Sequence, residues 1–224
     1  MAFQERSAKT RFRMNTHLIL ILVTALALLH SAGAAESQPF ALPAPQTAGG
    51  KPLMQALMDR QSRREFSPNA IPLQTLANLL WAGSGTNRLD GRRTVPSTMN
   101  AQVIDLYVAT AEGVMRYDAT NHMLRPVASG DVRGKTGGQD FVKAAPVALI
   151  FVADLARLEK AKPEDRERYA AIDAGCITQS LYLFCASEGL ATVVHEVDRR
   201  ELPALLKLKP EQRIVLAQSV GYPK

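Results

Sequence analysis

The chain has 224 residues, 46% of them hydrophobic, enough to bury one sizeable core and short enough to favour a single domain. Its formal charge of +6 is uneven: four of the 27 basic and one of the 21 acidic residues fall within the first 34 positions, and the remaining 23 and 20 leave only +3. That balance, with no basic stripe interleaved with aromatics, argues against a nucleic-acid partner.

Residues 1–35 have the layout of an export signal. Arg6, Lys9, Arg11 and Arg13 form a basic leader, Leu18 to Leu29 is an uncharged apolar run, and Ala32-Gly33-Ala34 offers small residues for cleavage near Ala34. The run is too short to span a bilayer comfortably, so no stable membrane span is expected after cleavage, the alternative being an uncleaved tether. Either outcome places the folded part outside the cytoplasm, in the periplasm or the medium.

Residues 36–50 hold Pro39, Pro43, Pro45, Gly49 and Gly50 and read as a linker or an extended arm, with the domain proper spanning 51–224. Leu53, Met54, Leu57 and Met58 follow helical spacing, as do Leu73, Leu76, Ala77, Leu79 and Leu80 after Ile71-Pro72. The second of these helices is expected to stop at Gly83 and Gly85 through a left-handed residue, with Trp81 in the core near its end. Val103 to Ala109 predicts a strand, and Gly113 to Tyr117 with Met123 to Val127 a hairpin. Ala145 to Ala153, with Val147, Leu149, Ile150, Phe151 and Val152, suits a strand covered on both faces.

A long helix is expected from Pro163 to Glu188, ended by Gly189. Its face carrying Ile172, Cys176, Ile177, Gln179, Ser180, Leu183 and Phe184 is apolar enough to be buried in the fold or at a dimer interface. Cys176 and Cys185, nine residues apart on this helix, lie on opposite sides and about 13.5 Å apart along the axis, so no internal disulfide is expected. No His and Cys spacing suggests a metal site. Ala191 to Val197 and Arg213 to Val220 are two further strands, separated by a segment that Asp198 and Glu201 would cap as a helix from Asp198 onward, with Pro203 awkward for that start. Interleaved helices and strands with an early hairpin predict the α+β class.

Two segments offer chemistry. Arg60-Gln61-Ser62-Arg63-Arg64-Glu65-Phe66 brings guanidinium groups and a hydroxyl together at a helix end, a donor set shaped for a phosphate. The same residues would also suit a solvated basic turn, and composition alone favours that reading, since charge runs are usually exposed surface. Pro96-Ser97-Thr98-Met99-Asn100-Ala101-Gln102 precedes a strand with hydroxyl and amide groups that complement a ring edge bearing carbonyls and an N–H, or simply make an ordinary strand entry.

These segments and their order resemble the nitroreductase family of flavoproteins. Arg60, Ser62 and Arg64 match its Arg-x-Ser-x-Arg phosphate motif, and Pro96, Ser97, Asn100 and Gln102 match its Pro-Ser-x-x-Asn-x-Gln turn. Leu79-Leu80-Trp81-Ala82, Gly113-Val114-Met115-Arg116-Tyr117-Asp118, Gly130-Asp131-Val132-Arg133, Asp173-Ala174-Gly175 and Val220-Gly221-Tyr222-Pro223 point to the branch that includes thiazoline and oxazoline peptide dehydrogenases.

The resemblance implies an α-β-α sandwich with a mainly antiparallel central sheet, a homodimer, and FMN as cofactor. Arg60, Gln61, Ser62 and Arg64 would hold the ribityl phosphate and the pyrimidine side. Pro96, Ser97, Asn100 and Gln102 would approach the isoalloxazine from the other subunit. Val194, His195 and Glu196 would run past flavin N5, where the family uses a main-chain N–H, and Lys224 would close on the phosphate. His195 is also a candidate for tuning the flavin, since imidazole titrates near neutral pH.

The reaction implied is hydride transfer through the flavin in two half-reactions on a small-molecule or peptide substrate, with NAD(P)H or another electron donor. The competing readings are a flavin-binding or scavenging protein without turnover and an enzyme that consumes the flavin itself.

Overall fold

The protein is described by a computed structural model covering residues 38–224; the export signal expected over 1–35 lies outside the described residues. Seven strands form one sheet: β1 (Phe40–Ala41), β2 (Ile104–Ala109), β3 (Gly113–Asp118), β4 (Met123–Ser129), β5 (Val147–Asp154), β6 (Ala191–His195) and β7 (Gln212–Gly221). Their spatial order is β1-β4-β3-β2-β5-β7-β6, with every pairing antiparallel. The helices are α1 (Leu53–Asp59), α2 (Leu73–Ser84), α3 (Asp140–Ala144), α4 (Pro163–Glu188) and α5 (Leu202–Leu205). This is the α+β class expected.

The central strand β5 shows why the sheet is covered on both faces. Side chains alternate along a strand. Val147, Leu149, Phe151 and Ala153 enter the core shared with α2 and α4, while Ala148, Ile150 and Val152 enter a second core with Leu202 and Leu206 around α5. Strand β6 lies at the far edge, paired on one side only, through Val193 opposite Ser219 and Val194 opposite Gln218.

Residues 38–50 run along the domain: β1 pairs with β4, Leu42 is buried in the main core, and Gln46 and Asn78 exchange hydrogen bonds. Several other expectations are corrected. Gly85 ends α2 in an extended conformation, φ −73°, so no left-handed residue is involved. Its need for glycine is steric, because a Cβ there would lie 2.2 Å from Trp81 Cδ1. Trp81 itself is half-buried and donates its indole N–H to the Thr86 carbonyl at 3.2 Å.

Helix α4 has the expected limits, with Gly189 left-handed at φ 71°. Its buried stripe, however, is Ala170, Asp173, Ala174, Ile177, Leu181, Tyr182 and Cys185. Of the face expected to be buried in the fold or at a dimer interface, only Ile177 is buried within the single chain; Ile172 is 50% exposed and Gln179 is exposed. Helix α5 begins at Leu202 rather than at Asp198, since Pro203 suits only a first turn and the Asp198 carboxylate is engaged by Arg200. Cys176 and Cys185 are both free. Among the described residues no helix is long and apolar enough to cross a membrane.

Candidate functional site

The arginine turn leaves α1 and docks on the open edge of β6. In an edge strand every second residue turns its main-chain groups away from the sheet. On β6 these are Thr192 and Val194: the Thr192 carbonyl accepts the Arg63 N–H at 3.0 Å, and the Val194 N–H donates to the Tyr182 hydroxyl at 2.9 Å. The same hydroxyl lies 2.9 Å from Ser62 Oγ, and the Arg60 guanidinium sits 5.4 Å from the centre of the Tyr182 ring.

Ion pairs are formed by many arginines of the chain, but among the described residues Arg60, Arg63 and Arg64 have no carboxylate within 4 Å. Gln61, with its carbonyl turned inward, accepts from Arg63 Nη2 at 2.9 Å, which directs Arg63 back along the turn. The C-terminal segment closes the other side: Phe66 bridges Pro223, Ser67 N–H bonds the Tyr222 carbonyl, and Lys224 N–H reaches the Glu65 carbonyl at 3.4 Å. Arg60, Ser62, Arg64 and Lys224 therefore belong to one neighbourhood. Asp59 is close enough for the Arg63 charge to help hold its carboxyl below the ordinary range, after its hydrogen bonds from Lys51 and Gln55. Arg60 and Arg64, however, pair with no carboxylate among the described residues, a donor set that fits a dianionic phosphate.

At this edge the Val194 N–H is already used by Tyr182, and Glu196 follows the last residue of β6. Its carboxylate points elsewhere: hydrogen bonds from Arg199 hold it below the usual glutamate range. Gly137 packs against this stretch, where a Cβ would stand 2.9 Å from His195 Nδ1 and 3.0 Å from the Glu196 carbonyl.

His195 faces inward. Its Nε2 lies 3.0 Å from Ser219 Oγ, its Nδ1 is 3.1 Å from the Glu196 carbonyl, and Phe141 meets its ring edge-on. Burial pushes its pKa below the ordinary value.

The Pro96–Gln102 turn is fixed by Asp173, whose Oδ2 accepts the Ser97 hydroxyl at 2.7 Å and whose Oδ1 accepts the Thr98 N–H and hydroxyl at 2.9 Å each. Ser97 Oγ in turn accepts the Gln102 N–H at 2.7 Å. Three non-glycine residues of this turn are left-handed: Met99 at φ 55°, Asn100 at 53° and Gln102 at 48°. The Gln102 amide is already satisfied, accepting from Arg93 Nε at 2.9 Å and donating to the Gly91 carbonyl at 3.0 Å, whereas Asn100 is exposed.

Asp173 and Tyr182, nine residues apart on α4, anchor the two turns about 13.5 Å apart along the helix axis. Each turn is thus held by its own residue of α4. Neither anchor was among the residues that sequence reasoning singled out for the site. Asp173 lay inside a matched motif, and a carboxylate within an apolar helical stripe is the signal that could have found it.

A single antiparallel sheet with an arginine turn docked on one open edge is the architecture of the nitroreductase-type oxidoreductases. The chain belongs to the nitroreductase family, whose model matches residues 57–222. A Ralstonia eutropha protein assigned to the nitroreductases is 40% identical, its structure aligning with a TM-score of 0.80 over 86% of this chain and 93% of its own. A Methanocaldococcus jannaschii protein named as a nitroreductase is 29% identical over 168 residues, 70% of this chain and 85% of the relative. A nitroreductase-type protein of Desulfovibrio desulfuricans, solved in complex with FMN, shares the fold at 20% identity, with a TM-score of 0.55 over 78% of this chain and 88% of its own.

Proposed function

We propose that this protein is an exported, homodimeric oxidoreductase that uses FMN. The observation that carries the reading is the arginine turn, whose Arg60 and Arg64 have no carboxylate within 4 Å among the described residues and which is tied to the open edge of β6. A phosphate and a planar ring edge can be held side by side there. The family assignment and the FMN bound within the same fold in the Desulfovibrio protein support the choice of cofactor.

In this reading Arg60, Arg64 and Ser62 hold the phosphate, with Lys224 beside them, and the main chain from Val194 to Glu196 runs past the ring. FMN held by these residues would supply the redox chemistry, carrying a hydride from a donor to an acceptor. The chain's own work is orientation, which accounts for a site built from fixed donors without an acid–base pair.

The homodimer is supported by two features of the single chain. Helix α1 exposes Leu53, Met54 and Met58 at 62%, 71% and 81%, an apolar surface of the kind that marks an interface. The Asn100 turn and the arginine turn are also held by different residues of α4, and a second copy bringing its Asn100 turn to the arginine turn would complete the site. The short motifs shared with thiazoline and oxazoline peptide dehydrogenases favour a peptide or small-molecule substrate that is oxidised, and the leader places that reaction outside the cytoplasm, where reduced nicotinamide is scarce.

The test is the visible spectrum of the mature protein followed by anaerobic stopped-flow reduction. A flavin band should be present, and NADH or NADPH should bleach it slowly relative to ordinary enzyme turnover, with a median of about 10 per second. Failure to bind FMN in titration overturns the reading. Fast, saturable reduction by either nucleotide overturns its extracytoplasmic part and defines a nicotinamide-linked reductase.

A further inference from the structure

Tyr182 projects from α4 with 6% of its surface exposed, and its hydroxyl has two neighbours: Val194 N–H at 2.9 Å and Ser62 Oγ at 2.9 Å. One belongs to the strand edge, the other to the arginine turn. We propose that Tyr182 is a positioning residue that orients the Ser62 hydroxyl as a donor toward a phosphate monoester and so gives the site preference for FMN over unphosphorylated riboflavin. The inference rests on the FMN reading above.

The direction of the hydrogen bonds follows from counting protons. A main-chain N–H can only donate, so the phenolic oxygen accepts from Val194. The phenol has a single proton, and Ser62 Oγ is its recorded second partner. Were Ser62 to donate to Tyr182, the phenolic proton would be left unpaired beside a buried ring, a costly arrangement. With Tyr182 donating instead, both of its bonds are made and the Ser62 proton is released. Ser62 is exposed, so that proton turns outward, near the Arg60 guanidinium that sits over the Tyr182 ring.

The order is thus Val194 N–H to Tyr182, Tyr182 O–H to Ser62, and Ser62 O–H to an anionic oxygen. Arg60, stacked 5.4 Å from the Tyr182 ring centre, is kept beside the same point by a cation–π contact. The Arg63 N–H bonded to the Thr192 carbonyl fixes the turn to β6 a second time, so Ser62 cannot swing away as a rigid unit. What Tyr182 adds is the direction of one proton. Neutral riboflavin has no phosphate to receive it.

The experiment compares FMN and riboflavin affinities by equilibrium titration for the parent, Tyr182→Phe, Ser62→Ala and the double variant. Tyr182→Phe keeps the ring and its packing. It should weaken FMN roughly fivefold to tenfold and change riboflavin by less than twofold, and the double variant should bind FMN no worse than Ser62→Ala. Equal weakening of both flavins, or additive losses in the double variant, would show a merely structural role and overturn the proposal.

Amide hydrogen exchange at Val194 in flavin-free protein reads the tie separately. Protection lost in Tyr182→Phe supports it, and unchanged protection overturns it whether or not flavin binds. A parent that binds neither flavin overturns the FMN reading and the phosphate preference together, while the exchange result still decides whether Tyr182 holds the strand.

Discussion

Asp173→Asn should be the most damaging isosteric change in the helix that organises the site. The Asp173 carboxylate is 4% exposed, accepts from three donors of Ser97 and Thr98 at 2.7 to 2.9 Å, and has no cation within 4 Å among the described residues. The turn it holds contains three non-glycine left-handed residues, each costing about 1–2 kcal/mol, so roughly 3–6 kcal/mol of backbone strain is offset by these bonds. An asparagine amide keeps one oxygen but presents an NH2 group to donors that need acceptors. Losing one charge-assisted bond and leaving a buried donor unpaired should cost about 2–4 kcal/mol.

Urea unfolding at fixed protein concentration measures this, with thermal unfolding expected to fall by about 5–15 °C for a domain of this size. Because the turn can open locally before the whole domain does, the flavin affinity should fall as well, through Asn100 and Gln102. A stability loss below about 0.5 kcal/mol would refute the reasoning, since it would mean that the strained turn does not depend on the carboxylate.

Arg60→Ala and Arg64→Ala should each weaken FMN binding by about 1.5–3 kcal/mol, the worth of one charge-assisted phosphate contact, and flavin titrations within a factor of two of the parent would place the phosphate elsewhere. The mature protein should scatter light as a two-fold dimer at micromolar concentration. Met58→Glu, which puts a charge on the apolar face of α1, should shift it toward monomer, and a folded, flavin-loaded parent monomer would remove the dimer from the mechanism.

The sequence was legible where the deciding interactions are short-range. Pro163 and Gly189 bracket α4 because a proline fits a first helical turn and a glycine adopts the left-handed cap without strain, and both effects act within a few residues. The arginine turn and the Pro-Ser-x-x-Asn-x-Gln turn were visible for the same reason: their donors are adjacent in the chain. The orientation of α4 was not. Apolar side chains lie on two of its faces, Ile172 and Leu183 on one and Ile177 and Leu181 on the other, and a pattern of hydrophobicity does not say which meets the sheet.

The missed residues share a physical cause. Asp173 bonds partners 75 and 76 positions away and Tyr182 a partner 120 away, so nothing in their own neighbourhoods announces a role. Both are polar groups on the stripe that enters the core, and burial of such groups is tolerated only where partners await them. Asp173 and Tyr182 both find their partners on other elements. On α4 those partners are the strained turn at Asn100 and the strand edge beside Ser62. A rigid helix holding both fixes the spacing of two turns that are otherwise connected only through long stretches of chain. The accuracy of the site therefore resides less in the arginines that would touch the phosphate than in two side chains, nine residues apart, that would touch no ligand at all.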